Sequence, residues 1–240
     1  MLKIEHFSKT YPGGKRAVDD LNLNVAPGEI FGFIGHNGAG KTTTLRAAAG
    51  VMDFTEGSIS IGGHDVQRDA TAAKKITAFL PDNPDLYDFL TGVQYLNFIA
   101  DLYDIPRRER QDRIQKYSDA FELTGSLGSP IGSYSHGMKQ KLAIISALIR
   151  QPRLLILDEP FVGLDPVAAH LLKGYLHEVC ESGGAVFFST HVLEVAEKLC
   201  DRIGIIRQGK LVEVGATEDI VGNSTLEDVF LELEGEKDRD

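Results

Sequence analysis

The stretch Glu29–Gly50, EIFGFIGHNGAGKTTTLRAAAG, decides how the rest of the 240-residue chain is read. EIFGFI, Glu29 to Ile34, is a continuous apolar run, as expected of a strand buried on both faces. Lys41 to about Ala49 reads as a helix, stopped by Gly50. Between them GHNGAGKT, Gly35 to Thr42, fits G-x-x-x-x-G-K-[ST] without a mismatch, in the strand–loop–helix context that motif requires. Glycines let such a loop curl until successive N–H groups face phosphate oxygens. The helix adds roughly half a positive charge at its start. Lys41 supplies a point charge for the β- and γ-phosphates, and the Thr42 hydroxyl suits a magnesium ion. Gly35, His36, Asn37, Gly38, Ala39, Gly40, Lys41, Thr42 and Thr43 are the candidate nucleotide-binding residues. An ordinary glycine turn is the bland alternative, which the flanking strand and helix disfavour. A dinucleotide site is discarded, because the glycines run G-x-x-G-x-G and a lysine follows at once.

Further along, LLILDEP ends an apolar run on two carboxylates, Asp158 and Glu159. In an open parallel sheet, ligands sit beyond the carboxyl ends of the strands. The phosphate loop leaves its own strand at that edge, so the two features are expected to converge. Asp158 would then hold magnesium through water, and Glu159 would polarise the water that attacks the γ-phosphate. Taken alone, such a pair is more often a helix cap or a loop charge. His191 follows the next apolar run, AVFFST, at the same expected edge, where it is a candidate for touching the γ-phosphate.

GSYSHGMKQKLAIISALI, Gly132 to Ile149, begins a long apolar helix with Ser135, His136 and Gly137 in its first turn. Free N–H groups at a helix start favour an anion. A plain N-cap explains Ser135 but gives no reason for Gly137.

Around these motifs, Leu2–Phe7 and Leu21–Val25 read as strands, GSISIGG as an edge strand, and Ile76–Leu80 as another strand. Roughly Leu90 to Leu123 reads as helical throughout, with Ile114, Tyr117 and Phe121 at helical spacing and its arginines on a solvated face. RIGIIRQGKLVEVG reads as a hairpin turning at Gln208–Gly209. Strands alternating with helices argue for a mostly parallel sheet covered on both faces. The tail EGEKDRD is charged and expected to fray.

Bulk properties narrow the function. The net charge of -10 excludes a uniform basic face for nucleic acid and disfavours docking on anionic lipid. Cys180 and Cys200 sit in no metal-like cluster and read as reduced, half-buried thiols. The opening MLKIEHFSKTY alternates and carries charges, unlike a signal peptide. No apolar run approaches the ~18 residues of a membrane span, so work at a membrane would need another chain to hold this one there.

YSHGMKQKL, LLILDEP, GLD and STH, in this order after the phosphate loop, resemble the nucleotide-binding subunit of an ABC transporter, and the resemblance covers nearly the whole chain. It implies an α/β fold, with a P-loop NTPase core of mostly parallel sheet, an N-terminal antiparallel β part and an inserted helical subdomain. Residues 1–85 and 136–222 would form the core, about 86–135 the helical subdomain, and 223–240 a C-terminal helix and charged tail. It also implies ATP and Mg2+ as cofactors, ATP hydrolysis, and a homodimer or heterodimer that sandwiches two ATP molecules head to tail. Ser135 and Gly137 would touch the γ-phosphate held by the other subunit, and Asp165 would lie in the loop crossing the interface. Gly163 and Pro166 equally fit a mere turn and helix start. Tyr11 matches the aromatic that stacks on adenine, and equally fits a strand-end tyrosine packed on the core. Two positions depart from the pattern. His136 and Met138 stand where glycine and glutamine are usual. Asp82 stands where a glutamine often senses magnesium and the membrane partner; a carboxylate can also ligate magnesium. The wording is most similar to the drug, antimicrobial-peptide or ion export branch. The partner would be an integral-membrane permease, placing the subunit in the cytoplasm against the inner face of the membrane. A non-transport ATPase of the same type, acting in translation or DNA repair, or a module with little turnover, are the rival readings.

Overall fold

Strand and helix alternate along the chain as their periodicities demand. The computed structural model describes residues 1–235. In order come β1 (Leu2–Thr10), β2 (Arg16–Val25), β3 (Ile30–Ile34), α1 (Lys41–Ala48), β4 (Glu56–Ile61), β5 (His64–Asp65), α2 (Ala70–Ile76) and β6 (Thr77–Leu80). Then follow α3 (Gly92–Leu102), α4 (Arg107–Ala120), 3-10 turns at Thr124–Ser126 and Ile131–Ser133, α5 (His136–Leu148), β7 (Leu154–Asp158) and α6 (Pro166–Glu181). Last are β8 (Ala185–Thr190), α7 (Leu193–Leu199), β9 (Arg202–Arg207), β10 (Lys210–Ala216), α8 (Thr217–Val221) and α9 (Leu226–Gly235).

A six-stranded sheet runs β10-β9-β3-β8-β7-β6. Its strands are parallel except at β10, which returns antiparallel to β9 through the Gln208–Gly209 turn. The apolar runs of β3, β7 and β8 are buried along their whole length, as strands covered on both faces must be. A second, antiparallel sheet runs β2-β1-β4-β5.

Successive side chains of β8 serve two different cores, because a strand alternates its faces. Phe187 enters the layer shared with α1 and the antiparallel sheet, 5.9 Å from the Phe31 ring and 5.6 Å from that of Phe33. Phe188 enters the opposite layer, with Leu142 and Ile145 of α5 and Leu172 and Leu176 of α6. Truncating a fully buried phenylalanine such as Phe187 costs about 3–5 kcal/mol, which sets the scale of the apolar packing between α1 and the sheet.

Some expectations change. β4 is not an edge strand: the Gly62–Gly63 turn folds β5 back, pairing Ser60 with Asp65 and Ile61 with His64. The middle is not helical throughout. α3 starts at a capping box, in which Thr91 accepts from the Gln94 N–H and the Gln94 side chain accepts from the Thr91 N–H. The chain breaks at Asp104, whose φ of 54° lies in the left-handed region, and Pro106 bars its predecessor from helical geometry. Both cysteines are buried rather than half-buried. Burial pushes the Cys180 thiol up to about 11 and raises that of Cys200 as well. Of the charged tail, residues 236–240 lie outside the described residues.

Candidate active site

Register across the parallel sheet brings the separated motifs level. Ile34 of β3 pairs with Thr190 of β8, Asp158 of β7 with Ser189 of β8, and Leu80 of β6 with Leu157 of β7. Gly35, Glu159, His191 and the Pro81–Asp82 segment therefore all leave the sheet at one edge.

The phosphate loop is shaped by backbone approaches that no side chain could share. A Cβ on Gly35 would lie 2.4 Å from the Ile206 carbonyl oxygen. Gly40 caps α1 at φ 117°, and a Cβ there would lie 2.7 Å from the Ala17 oxygen. The Gly209 N–H donates to the Ala39 oxygen at 2.8 Å, tying the loop to the β9–β10 turn. No side chain caps the start of α1, which leaves its N–H groups for an anion. Lys41 is buried; its Nζ donates to the Gly35 oxygen at 2.6 Å and lies 3.6 Å from Glu159 Oε1. Burial lowers its proton affinity, against the pull of the Glu159 and Asp158 carboxylates.

Asp158 ends β7 fully buried, and Ser189 Oγ donates to its Oδ1 at 2.5 Å. Burial raises the Asp158 carboxyl, against hydrogen bonds from Ser189 and Thr42, while the Asp82 and Glu159 charges push the same way as burial. Its Oδ2 is buried with no hydrogen-bond partner among the described residues. A buried acceptor left open beside the Thr42 hydroxyl fits a hard cation. Thr42 and Asp158 would hold magnesium, with Asp82, whose Oδ1 accepts from the Asn83 N–H at 2.9 Å, at the exposed side.

Glu159 takes a φ of 49°, a left-handed geometry uncommon for a side-chain residue. Its N–H donates to the Ser189 oxygen and Oγ, each at 3.2 Å. His191 Nδ1 lies 2.9 Å from Glu159 Oε1, and the His191 N–H donates to Oε2 at 3.4 Å. The base candidate is thus held between a lysine and a histidine, reaching an open cleft of about 210 Å³.

That cleft is lined by Lys41, Thr42, Thr43, Asp82, Glu159 and Tyr11, among others. Tyr11 follows β1, and its hydroxyl lies 3.2 Å from Thr43 Oγ1 and 3.5 Å from Met52 Sδ. With 37% exposure its ring borders the cleft rather than the core. Sequence reasoning passed over Lys15, which lines the same cleft. The Tyr11 N–H donates to the Lys15 oxygen at 2.9 Å, and the Gly14 N–H to the Tyr11 oxygen at 3.0 Å. The Pro12-Gly13-Gly14 turn between two strands was the signal for that lysine. Ser189 was also missed; nothing local marks a buried strand serine as a carboxylate partner.

Ser135, Gly137 and Asp165 do not line this cleft. Ser135 caps α5, accepting from the Met138 N–H at 3.3 Å. Asp165 caps α6, accepting from the Ala168 N–H at 2.9 Å, with Pro166 at the first helical position.

Comparison with known proteins places this geometry. The ABC transporter family matches residues 18–162. The linearmycin resistance ATP-binding protein LnrL of Bacillus subtilis (strain 168) is 34% identical over 220 residues, covering 92% of this chain and 70% of that one. A solved ATP-binding subunit of an ABC transporter superposes with a TM-score of 0.93 at 33% identity, covering 98% of this chain and 99% of that chain. The dimeric post-hydrolysis structure of the ATP-binding cassette MJ0796 with ADP and Pi gives a TM-score of 0.82 at 25% identity, covering 90% and 99%. Motif order, sheet topology and likeness agree, and the chain belongs to the ABC transporter family as an ATP-binding subunit with ATPase activity.

Proposed function

We propose that two copies of this subunit, or one copy and a second cassette, close around two Mg-ATP molecules and drive export through a separate membrane permease. The observation that carries the paired arrangement is the placement of α5: its Ser135–Gly137 start does not line the cleft of its own chain. A helix end bearing a hydroxyl and a glycine suits an anion, and a second subunit's cleft supplies one. The dimeric state of MJ0796 with ADP and Pi supports the same reading.

In this scheme the phosphate loop and Lys41 hold the triphosphate, and Tyr11 stacks on the base. Glu159 takes a proton from the water that attacks the γ-phosphate, and His191 keeps that carboxylate aimed. Thr42, Asp158 and Asp82 would hold a magnesium ion, which would supply positive charge against that building on the phosphate oxygens. The Ser135 hydroxyl and the Gly137 N–H of the opposite subunit donate to the γ-phosphate oxygens. Hydrolysis leaves two like-charged products, so closure favoured by ATP is lost with ADP.

Among the described residues no helix is long and apolar enough to cross a membrane. The docking surface for a permease is the exposed cluster after Asp82: Phe89 is 81% exposed, and Tyr87 meets the rings of Phe89 and Phe98 at 5.9 and 5.8 Å. Exposed aromatics grouped in this way suit a partner segment. The resistance function named for LnrL supports export.

Steady-state ATP hydrolysis by the parent and Glu159→Gln tests the assignment. Turnover should fall about 100-fold or more, with ATP still bound and the variant dimeric in ATP by light scattering. Equal rates in both proteins would end the role of Glu159; an ATP-loaded monomer at every protein concentration would end the paired scheme.

A further inference from the structure

The phosphate loop touches the last helix of the described chain. α9 lays Leu226, Val229, Phe230 and Leu233 against the core, the i, i+3, i+4, i+7 stripe of a packed helix. It is pinned at three points. At its start the Leu226 N–H donates to Glu197 Oε2 at 2.8 Å, on the helix that begins just after His191. At its middle the Phe230 ring meets the imidazole of His36 at 4.9 Å between centroids and 69° between planes. Near its end the Arg207 guanidinium donates to the Leu233 oxygen, and Arg207 leads into the turn whose Gly209 N–H holds the Ala39 oxygen at 2.8 Å.

Phe230 is 8% exposed, yet His36 belongs to an exposed loop rather than to the core. Core packing of α9 does not by itself call for that contact. A loop containing Gly35, Gly38 and Gly40 has much backbone freedom to lose on binding a ligand. A side chain fixed from outside the cleft removes part of that loss before the nucleotide arrives.

We propose that α9 is a positioning element for the phosphate loop, with Phe230 setting the loop through the edge-to-face contact on His36. This rests on the reading that the loop holds ATP. The effect is on nucleotide affinity. An aromatic pair of this kind is worth enough to shift a dissociation constant about 2- to 10-fold.

The test is titration of the full-length subunit with a fluorescent N-methylanthraniloyl ATP, alongside ATPase kinetics. Phe230→Ala and His36→Ala should each weaken binding and raise KM about 2- to 10-fold, and for Phe230→Ala kcat at saturating ATP should stay within about twofold of the parent. The double variant should be no weaker than the weaker of the two singles, since both changes remove the Phe230–His36 contact. Phe230→Tyr, which keeps the ring edge, should behave as the parent. So should Leu231→Ala, on the same helix but 61% exposed. Additive losses in the double variant, or parent-like affinity in both singles, overturn the proposal. Should Phe230→Ala not fold, Phe230→Leu with His36→Ala decides by the same rule. Lys41→Ala separates the two readings: a parent that binds the probe no better than Lys41→Ala sinks the site itself, whereas a Lys41-dependent parent with indifferent Phe230 variants sinks only the role of α9.

Discussion

The ring of His136 lies against Gly163 so closely that a Cβ on the glycine would sit 2.8 Å from His136 Cδ2 and 2.9 Å from Nε2. The contact joins the first turn of α5 to the loop that runs from Glu159 to Asp165. It is not isolated. Lys141 Nζ meets Asp165 Oδ2 at 2.7 Å, and Gln140 Nε2 donates to the Pro160 oxygen at 3.4 Å. His136 and Gln140, four residues apart, share one face of α5, and Lys141 adds a further tie, so whatever that helix end grips is mechanically linked to the Glu159 loop. The Lys141 hydrogen bond also holds the Asp165 carboxyl below its ordinary range.

Gly163→Ala should uncouple that link. Its φ of 80° already disfavours a side chain, and the added methyl must push His136 away. We expect kcat to fall at least about 10-fold with nucleotide affinity of the isolated subunit unchanged, because a small displacement of reacting groups is costly while the cleft itself is untouched. ATPase kinetics and probe titration check this; a proportionate loss of affinity would contradict it.

Asp158→Asn should stabilise the nucleotide-free subunit while abolishing hydrolysis. Burial raises the Asp158 carboxyl above its ordinary 3.8, so the folded state binds that proton more tightly than the unfolded chain does. The group's stabilising contribution is full below 3.8 and is lost as pH rises through its raised value. At neutral pH the buried carboxylate therefore weakens the apo fold. A neutral amide should raise the melting temperature at pH 7 by about 2–4 °C for each kcal/mol recovered. The gain should shrink as pH is lowered towards 4. A melting temperature that falls at pH 7 would refute the argument.

Both thiols should be silent in the folded protein. Cys180 and Cys200 are buried and their thiols are raised, that of Cys180 to about 11, so almost no thiolate exists at pH 8. Ellman's reagent should report close to no thiol at pH 8 in buffer and two per chain in denaturant. Rapid reaction of one equivalent under native conditions would show that a cysteine is accessible.

Gly32→Ala should destabilise through Cys200, since its Cβ would lie 2.5 Å from Cys200 Sγ inside the sheet–helix layer. Overpacking of this kind costs about 1–3 kcal/mol. Cys200→Ala removes the obstructing sulfur and leaves the Cys200 Cβ at 3.5 Å, an ordinary contact. The double variant should then be more stable than the sum of the single losses predicts. Denaturant melts of the four proteins give the coupling directly; strict additivity would place the strain elsewhere.

Some of this molecule is written in stretches of a few residues, where neighbours along the chain decide the outcome. The Gly35–Thr42 loop, the uniformly apolar β3, β7 and β8, the Ser135 cap and the Gln208–Gly209 hairpin are of this kind. So is the break at Asp104–Pro106, although the helical spacing around it hid the signal. Tertiary structure alone decided the strand order, in which β8 separates β3 from β7 and brings Ser189 to Asp158 across 31 positions. The same is true of His136 on Gly163 and Phe230 on His36. Periodicity and motif spacing act through backbone geometry over one or two turns. Contacts between distant segments depend on sheet register and on side-chain volumes meeting in three dimensions, which no local pattern encodes.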